Sequence, residues 1–395
     1  MIIFYTKDLC VGGVPVLIKN LIEYFDRNKI DYRLLCFSKS YIYESLKSSN
    51  KTKHIILIDN INKHDYHKLV GSEDHLICTY FPSELYYFIK SNPFIVFWNV
   101  FPTTLVDVNK FGKLNLKILT TKLISYFELK KSLFFMDWEG IKEISRSNKL
   151  LINCPNYLTI PIQMNSNIFM ERRHCIEEIK ISYIGRSEEW KIFPLRKLIK
   201  DLSYVSLNYK VSLSVFTDNK IIIQNRIKDI DVQELEVCIY EKMNENEITN
   251  ILNKEIDINV SMGTSSILGA SLGIPTLLID ASNSELEFYK YKWLYETKGF
   301  SLGTLINSNR FYENKHNLDD VIKSFFHDPN FRVDQSMKCF DYVKRNHNID
   351  VVANLLVKSL KKSKAKLKRA SRFVVRISLL FIIIKRLRSK LKMGK

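Results

Sequence analysis

The sequence predicts an α/β fold built of two doubly wound parallel-sheet domains in series. Three observations carry this. Short apolar runs such as IIFYT (2–6) and FIVFWNV (94–100) alternate with stretches of helical spacing such as VLIKNLIEYF (16–25). The runs are apolar throughout instead of alternating with polar residues, as in strands buried on both faces of a parallel sheet. The alternation breaks once, around 155–178, and then starts again.

In the first series, YRLLCF (32–37), HIILID (54–59), HLICTY (75–80), FIVFWNV and SLFFMD (132–137) read as further strands, and SELYYFIKS (83–91) as a helix. CPNYLTIPI (154–162) and the polar NSNIFMERRHCIEE (165–178) read as a linker. The second series runs strand IKISYIGR (179–186), helix FPLRKLIKDL (193–202), strand YKVSLSVFTD (209–218) and helix NENEITNILNK (244–254). Strand IDINVSMG (256–263), helix SSILGASLG (265–273) and strand PTLLID (275–280) complete it. The expected layout is a Rossmann-like domain at 1–165, a linker at 166–178 and a second Rossmann-like domain at 179–345. Ligands of such sheets bind at the carboxyl ends of the strands, and in a two-domain version in a central cleft that both domains face.

Composition fits a globular chain, with 46% apolar and 26% charged residues in 395. The seven cysteines (Cys10, Cys36, Cys78, Cys154, Cys175, Cys238 and Cys339) are scattered and form no C-x-x-C pair. Neither a disulfide framework nor a metal cluster is expected, and a reducing cytoplasm is. The eight histidines offer no metal spacing either; His64 and His67 lie in a very polar stretch. The opening MIIFYTKDLC lacks a basic n-region and reads as a strand, not a signal peptide.

The formal charge of +18 is unevenly placed. From Lys358 to Lys395 there are 15 basic residues and no acidic one, so residues 1–357 carry 45 basic against 42 acidic side chains. A nearly neutral body argues against nucleic acid as partner. Within the tail, Phe373 to Ile384 is apolar except for Arg376 and Ser378, too short to span a bilayer. Phe373, Ile377, Leu380, Phe381, Ile384, Leu387 and Leu391 fall on one helical face. The pattern predicts a basic amphipathic helix lying in an anionic membrane surface, with 358–395 as the tail; a partner-docking helix or a disordered tail is the alternative.

Three stretches can hold an anion. CVGGVP (10–15) follows the first strand, so Gly12 and Gly13 let backbone N–H groups approach a ligand, or simply make a tight turn. YIGRSEEWK (183–191) places Arg186 and Lys191 after a strand, suited to a diphosphate, or to a solvated loop with Arg186 paired to Glu188 or Glu189. MGTSSILGASLG (262–273) puts Gly263, Thr264, Ser265 and Ser266 at a helix start, where Thr264 or Ser265 can cap the helix and free N–H groups can bind phosphate. Asn99, Asp137 and Glu139 sit near strand ends of the first series. Asp137 or Glu139 is the candidate acceptor base, though each also suits a helix cap. Trp98 and Trp190 read as packing residues or as stacking platforms.

Together these pieces resemble the GT-B glycosyltransferases, most closely the family-4-like enzymes of bacterial capsule and O-antigen loci. The resemblance spans about 1–357 and rests on the Gly12–Gly13 turn, FWNVFP (97–102), FFMD (134–137), YIGRSEEWK and MGTSSILGASLGIPTLLID (262–280). DYVKRNHNIDVVANLLVKSL (341–360) looks like the closing helices, with 346–357 returning toward the first domain. The resemblance implies a nucleotide-sugar donor on the second domain, held by Arg186, Lys191 and Gly263–Ser266, and an acceptor on the first. It implies retention of configuration with no metal and no cofactor beyond the donor. It also implies a peripheral enzyme at the inner face of a bacterial cytoplasmic membrane, acting on a lipid-linked glycan. Two departures stand out. Leu268 and Val260 occupy positions where relatives carry Glu or another acid, and Phe101 stands where relatives carry His. These motivate a catalytically degenerate binding protein as the alternative, beside a sugar-nucleotide epimerase.

Overall fold

The computed structural model describes residues 1–7, 13–48, 53–60, 69–80, 89–101, 117–153, 155–164, 177–306 and 314–372. The chain divides into two compact units, Met1–Pro161 with Ile349–Lys395, and Ile162–Asn348.

The first unit is built on seven strands: β1 (Ile2–Tyr5), β2 (Tyr32–Cys36), β3 (Ile55–Leu57), β4 (His75–Cys78), β5 (Phe94–Asn99), β6 (Leu133–Phe135) and β7 (Asn156–Tyr157). All neighbours are parallel, in the order β3-β2-β1-β4-β5-β6-β7. Helices α1 (Gly13–Arg27), α2 (Tyr41–Ser48), α3 (Lys117–Leu129) and α4 (Trp138–Asn148) connect them. Leu17, Ile18, Leu21, Ile22 and Phe25 of α1 recur at helical spacing and are buried, which fixes its inner face. β5 is buried along nearly its whole length, as its unbroken apolar run requires. The expected helix at 83–91 falls largely outside the described residues.

In the second unit the strands are β8 (Ile179–Ile184), β9 (Val211–Thr217), β10 (Glu236–Glu241), β11 (Ile258–Ser261), β12 (Thr276–Leu278), β13 (Ala281–Ser282), β14 (Lys292–Trp293) and β15 (Leu305–Ile306). The main sheet runs β10-β9-β8-β11-β12-β14, parallel except for the terminal pair β12–β14. Helices α5 (Glu189–Ser206), α6 (Lys220–Ile227), α7 (Glu245–Glu255), α8 (Thr264–Ser271), α9 (Leu318–His327) and α10 (Pro329–Asn346) surround it.

The chain then returns to the first unit with α11 (Ile349–Leu360), which packs on α1. Residues 361–372 do not leave as a tail; they fold onto the first unit where its strands begin. Lys364 N–H donates to Lys130 O at 2.8 Å, Ile95 N–H to Ala365 O at 2.9 Å and Leu367 N–H to Pro93 O at 3.0 Å. Ala365, Leu367 and Ala370 are fully buried in the core cluster that also holds Phe97, Phe127 and Phe135. The amphipathic face from Phe373 onward lies outside the described residues, and among the described residues no helix is long and apolar enough to cross a membrane.

Candidate active site

Strand order places the second unit's two candidate anion-binding stretches side by side. β8 leads on one side to β9 and β10, while its other neighbour β11 leads to β12. The chain direction through the sheet reverses between β8 and β11, and doubly wound sheets bind ligands outside the carboxyl ends of their strands at that point. The Gly185–Lys191 stretch leaves β8 there, and Met262–Ser266 leaves β11. The two strand ends are tied directly, since Ile184 N–H donates to Ser261 Oγ at 3.3 Å.

Beneath them lies a buried polar cluster. Asn259 Oδ1 accepts from Ser182 Oγ at 3.0 Å and Ser261 Oγ at 2.7 Å, while its Nδ2 donates to Ser265 O at 3.2 Å. One amide thus fixes both strand ends and the first turn of α8. A Cβ on Gly269 would lie 2.4 Å from Asn259 Nδ2, so the glycine makes room for that amide.

Gly263 sits at φ 65° and ψ −141°, a conformation effectively reserved for glycine. It takes the N-cap position itself, so neither Thr264 nor Ser265 caps the helix as the sequence suggests. Ser266 Oγ turns back to Gly263 O at 2.7 Å. No side chain caps α8, and the N–H groups of Thr264 and Ser265 stay open at its positive end.

Arg186 is exposed and pairs with Glu188 at 3.2 Å. The second carboxylate oxygen of Glu188 is buried and has no hydrogen-bond partner. Lys191 lies over the Trp190 ring, 4.8 Å from its centroid. Burial pushes the Lys191 amine down to about 8, Arg186 adds to the fall, and Glu188 and Asp218 oppose it. Asp218 itself accepts from Ser187 N–H at 2.7 Å. Sequence reading offered Glu188 as the partner of Arg186, which the structure shows, and missed Asp218. The aspartate directly after strand β9 is the one signal that pointed there.

In the first unit, β1, β4, β5 and β6 are neighbours, and their carboxyl ends bring Tyr5, Thr79, Asn99 and Asp137 to one edge. Asp137 caps α4, its Oδ1 accepting from Glu139 N–H at 2.9 Å and Gly140 N–H at 3.2 Å. Burial lifts its carboxyl to about 7, with the charge of Glu139 adding to the rise. Glu139 pairs with Lys142 at 3.0 Å. Asn99 is 1% exposed, and neither amide atom has a hydrogen-bond partner. Gly140 lies against it, and a Cβ there would stand 2.5 Å from Asn99 Nδ2. The hydroxyls of Tyr5 and Thr79 are buried without a partner too. A buried polar group left without a partner calls for an explanation, and a bound ligand or water at this edge supplies one. Gly13 opens α1, while Gly12 lies outside the described residues. Trp98 is buried and donates to Leu158 O at 2.8 Å, so it packs. Phe101 is 45% exposed.

No protein-family model and no curated protein matches the sequence. Solved structures match it in shape. A glycosyltransferase from Rickettsia africae aligns at TM-score 0.60 and 13% identity, over 91% of this chain and 97% of its own. The lipopolysaccharide outer core galactosyltransferase WaaB aligns at 0.56 and 12%, over 92% and 100%. An alpha-glucosyltransferase in complex with UDP aligns at 0.53 and 14%, over 91% and 99%. The chain has the GT-B fold. In GT-B terms, the β8–β11 switch point belongs to the second of the two doubly wound units, and the edge carrying Asp137 to the first. At these identities the likeness extends to the fold and not to the role of any residue.

Proposed function

We propose that this chain is a glycosyltransferase that moves a sugar from a nucleotide-sugar donor to a lipid-linked or surface-polysaccharide acceptor. The observation that carries the reading is the convergence at the β8–β11 switch point. There, a cationic pair and an uncapped helix start share one edge, suited to a diphosphate. In the reaction the bond from the sugar's anomeric carbon to the diphosphate oxygen breaks, and an acceptor oxygen bonds to that carbon. The acceptor's proton passes to a base, and the nucleoside diphosphate leaves. Negative charge grows on the leaving diphosphate. Arg186, Lys191 and the N–H groups of Thr264 and Ser265 are placed to stabilise it.

The first unit takes the acceptor at the edge bearing Asp137. A carboxyl near 7 is matched to proton transfer at neutral pH. We assign retention of configuration and metal independence on the family resemblance. The same holds for the bacterial capsule or O-antigen setting, for work at the inner face of the cytoplasmic membrane, and for a membrane-lying tail from Phe373.

A second reading, a GT-B protein that binds without turnover, is favoured by one observation. Leu268 packs against the apolar cluster of Phe216, Leu252, Ile256, Leu272 and Ile274, and Val260 is fully buried, where the resemblance expects carboxylates. A panel of nucleotide sugars, read for binding and for donor hydrolysis, tests both. Binding with turnover supports the enzyme, and binding with no turnover in a lysate of native acceptors supports the second reading. No binding at millimolar donor refutes both.

A further inference from the structure

We propose that the lower edge of the first unit, where its strands begin, is a docking face for an anionic lipid bilayer. This rests on the membrane reading above and adds to it a folded surface. The segment 361–372 covers that edge with its small and apolar residues turned inward. Ser363, Ala365, Leu367 and Ala370 are buried, while Lys361, Lys362, Lys364, Arg369 and Arg372 are exposed. The inward set locks the segment to the core, and the outward set lays fixed cations along the edge.

The helix exits on the same edge add more. Lys29 (φ 53°), Lys131 (φ 51°) and Lys149 (φ 52°) follow α1, α3 and α4 in the left-handed conformation that favours glycine. All three are exposed, so each exit presents a cation where glycine would present none. Two large apolar side chains stand among them, Leu129 at 77% and Leu151 at 75% exposure. Leu129 neighbours the basic segment, since Lys364 N–H donates to Lys130 O. The acidic side chains nearby do not cancel this. Asp74 is held by the Met1 amine at 3.2 Å and Asp26 accepts from the Tyr32 hydroxyl at 2.8 Å, leaving Asp31, Glu73 and Glu128.

Cations interspersed with protruding leucines fit a bilayer interface, where apolar insertion and attraction to anionic headgroups add. Nucleic acid has no use for the leucines. The described chain ends on this edge at Arg372, and 373–395 continues with seven more basic residues, no acidic one and a bulky apolar block. That continuity commits the face to lipid. The opposite edge, with Asp137, then stands about 20 Å from the lipid, one six-residue strand away. It reaches sugars extended from a lipid carrier, not the carrier's own phosphate.

The test is co-sedimentation of the full chain with vesicles of phosphatidylcholine and phosphatidylglycerol (3:1) and of phosphatidylcholine alone. Two variants accompany it, a chain ending at Arg372 and the full-length L129S/K131E/K364E. We expect the full chain to bind the anionic vesicles, and the chain ending at Arg372 to keep weaker, salt-sensitive binding. The triple variant, tail intact and with an unchanged melting temperature, loses roughly a hundredfold in affinity. A triple variant that binds like the native chain overturns the face while leaving a tail-only membrane reading intact. A full chain that ignores anionic vesicles, or prefers duplex DNA to them, overturns the membrane reading as well. Amide exchange on the native chain gives a readout that needs no variant. Vesicles slow exchange at 129–131 and 149–152 if the face docks, and unchanged exchange there overturns it.

Discussion

Lys191 offers the most quantitative handle on the proposed diphosphate site. Its amine is held near 8 in the free protein because burial disfavours the charged form, with Arg186 adding like-charge repulsion. A bound diphosphate favours the charged form, so binding must take up a proton wherever the free amine is neutral. At pH 7 about nine in ten molecules carry the charge, and at pH 9 about one in ten does. If only the charged form holds the diphosphate, affinity falls about tenfold from pH 7 to pH 9, or about 1.4 kcal/mol. Isothermal titration with UDP at pH 7, 8 and 9, in buffers of different ionisation enthalpy, reads both quantities. About half a proton should be taken up per UDP at pH 8. Lys191→Met should bind weakly with a flat profile. Stability gives an independent sign. The folded amine titrates below its unfolded value, so Lys191 opposes folding while charged, and that opposition is lifted as pH rises from about 8 to 10.5. Lys191→Met should therefore be no less stable than the native chain at pH 7. A native affinity that is flat from pH 7 to 9, with no proton uptake, refutes the assignment of Lys191 to the diphosphate.

Two further substitutions probe the same edge. Gly269→Ala drives a methyl to 2.4 Å from Asn259 Nδ2. Overpacking of about 1–3 kcal/mol outweighs the helix gain of about 1 kcal/mol, so urea unfolding should show a net loss and UDP affinity should fall with it. Glu188→Gln removes the carboxylate that occupies Arg186, and because both side chains are partly exposed the gain should be modest, roughly threefold tighter UDP binding. Weaker binding would instead show that Glu188 holds Arg186 in place.

The fold was legible because most strands are predominantly apolar, as the run FIVFWN of β5 shows. Strand β10 was not. It lies at a sheet edge, begins and ends in Glu236 and Glu241, and is half-exposed, so it carries no unbroken apolar run. The segment 361–372 misled for a related reason. Its inward residues include Ser363, Ala365 and Ala370, too small to register against eight basic residues between 358 and 372. In the candidate site, the Arg186–Lys191 and Gly263–Ser266 stretches were visible because strand-to-loop transitions are local. The Asn259 cluster and the Asp218 partner were not. Those pairings join residues from different strands, and only the sheet order brings them together.

Leu268 is the residue on which the enzyme reading turns, and its surroundings sharpen the question it poses. It lies one helical turn beyond Thr264, within the apolar cluster whose outer members include Ile184 and Tyr240, and Tyr240 stacks on Phe216 at 5.1 Å. The environment is as apolar as the residue itself. A carboxylate restored there alone would meet these apolar side chains, with its charge opposed by desolvation. Glu at 268 is therefore not by itself a repair. For a nucleotide-sugar donor the consequence is specific. A carboxylate that accepts from two ribose hydroxyls contributes about 1.5–3 kcal/mol per bond, and here that contribution is missing. In the proposed donor site the burden shifts to the diphosphate end, where Arg186, Lys191 and the start of α8 would act on charge and ignore the base. A donor site built this way holds its ligand weakly at high salt, discriminates poorly between nucleosides, and takes its selectivity from the sugar and the acceptor.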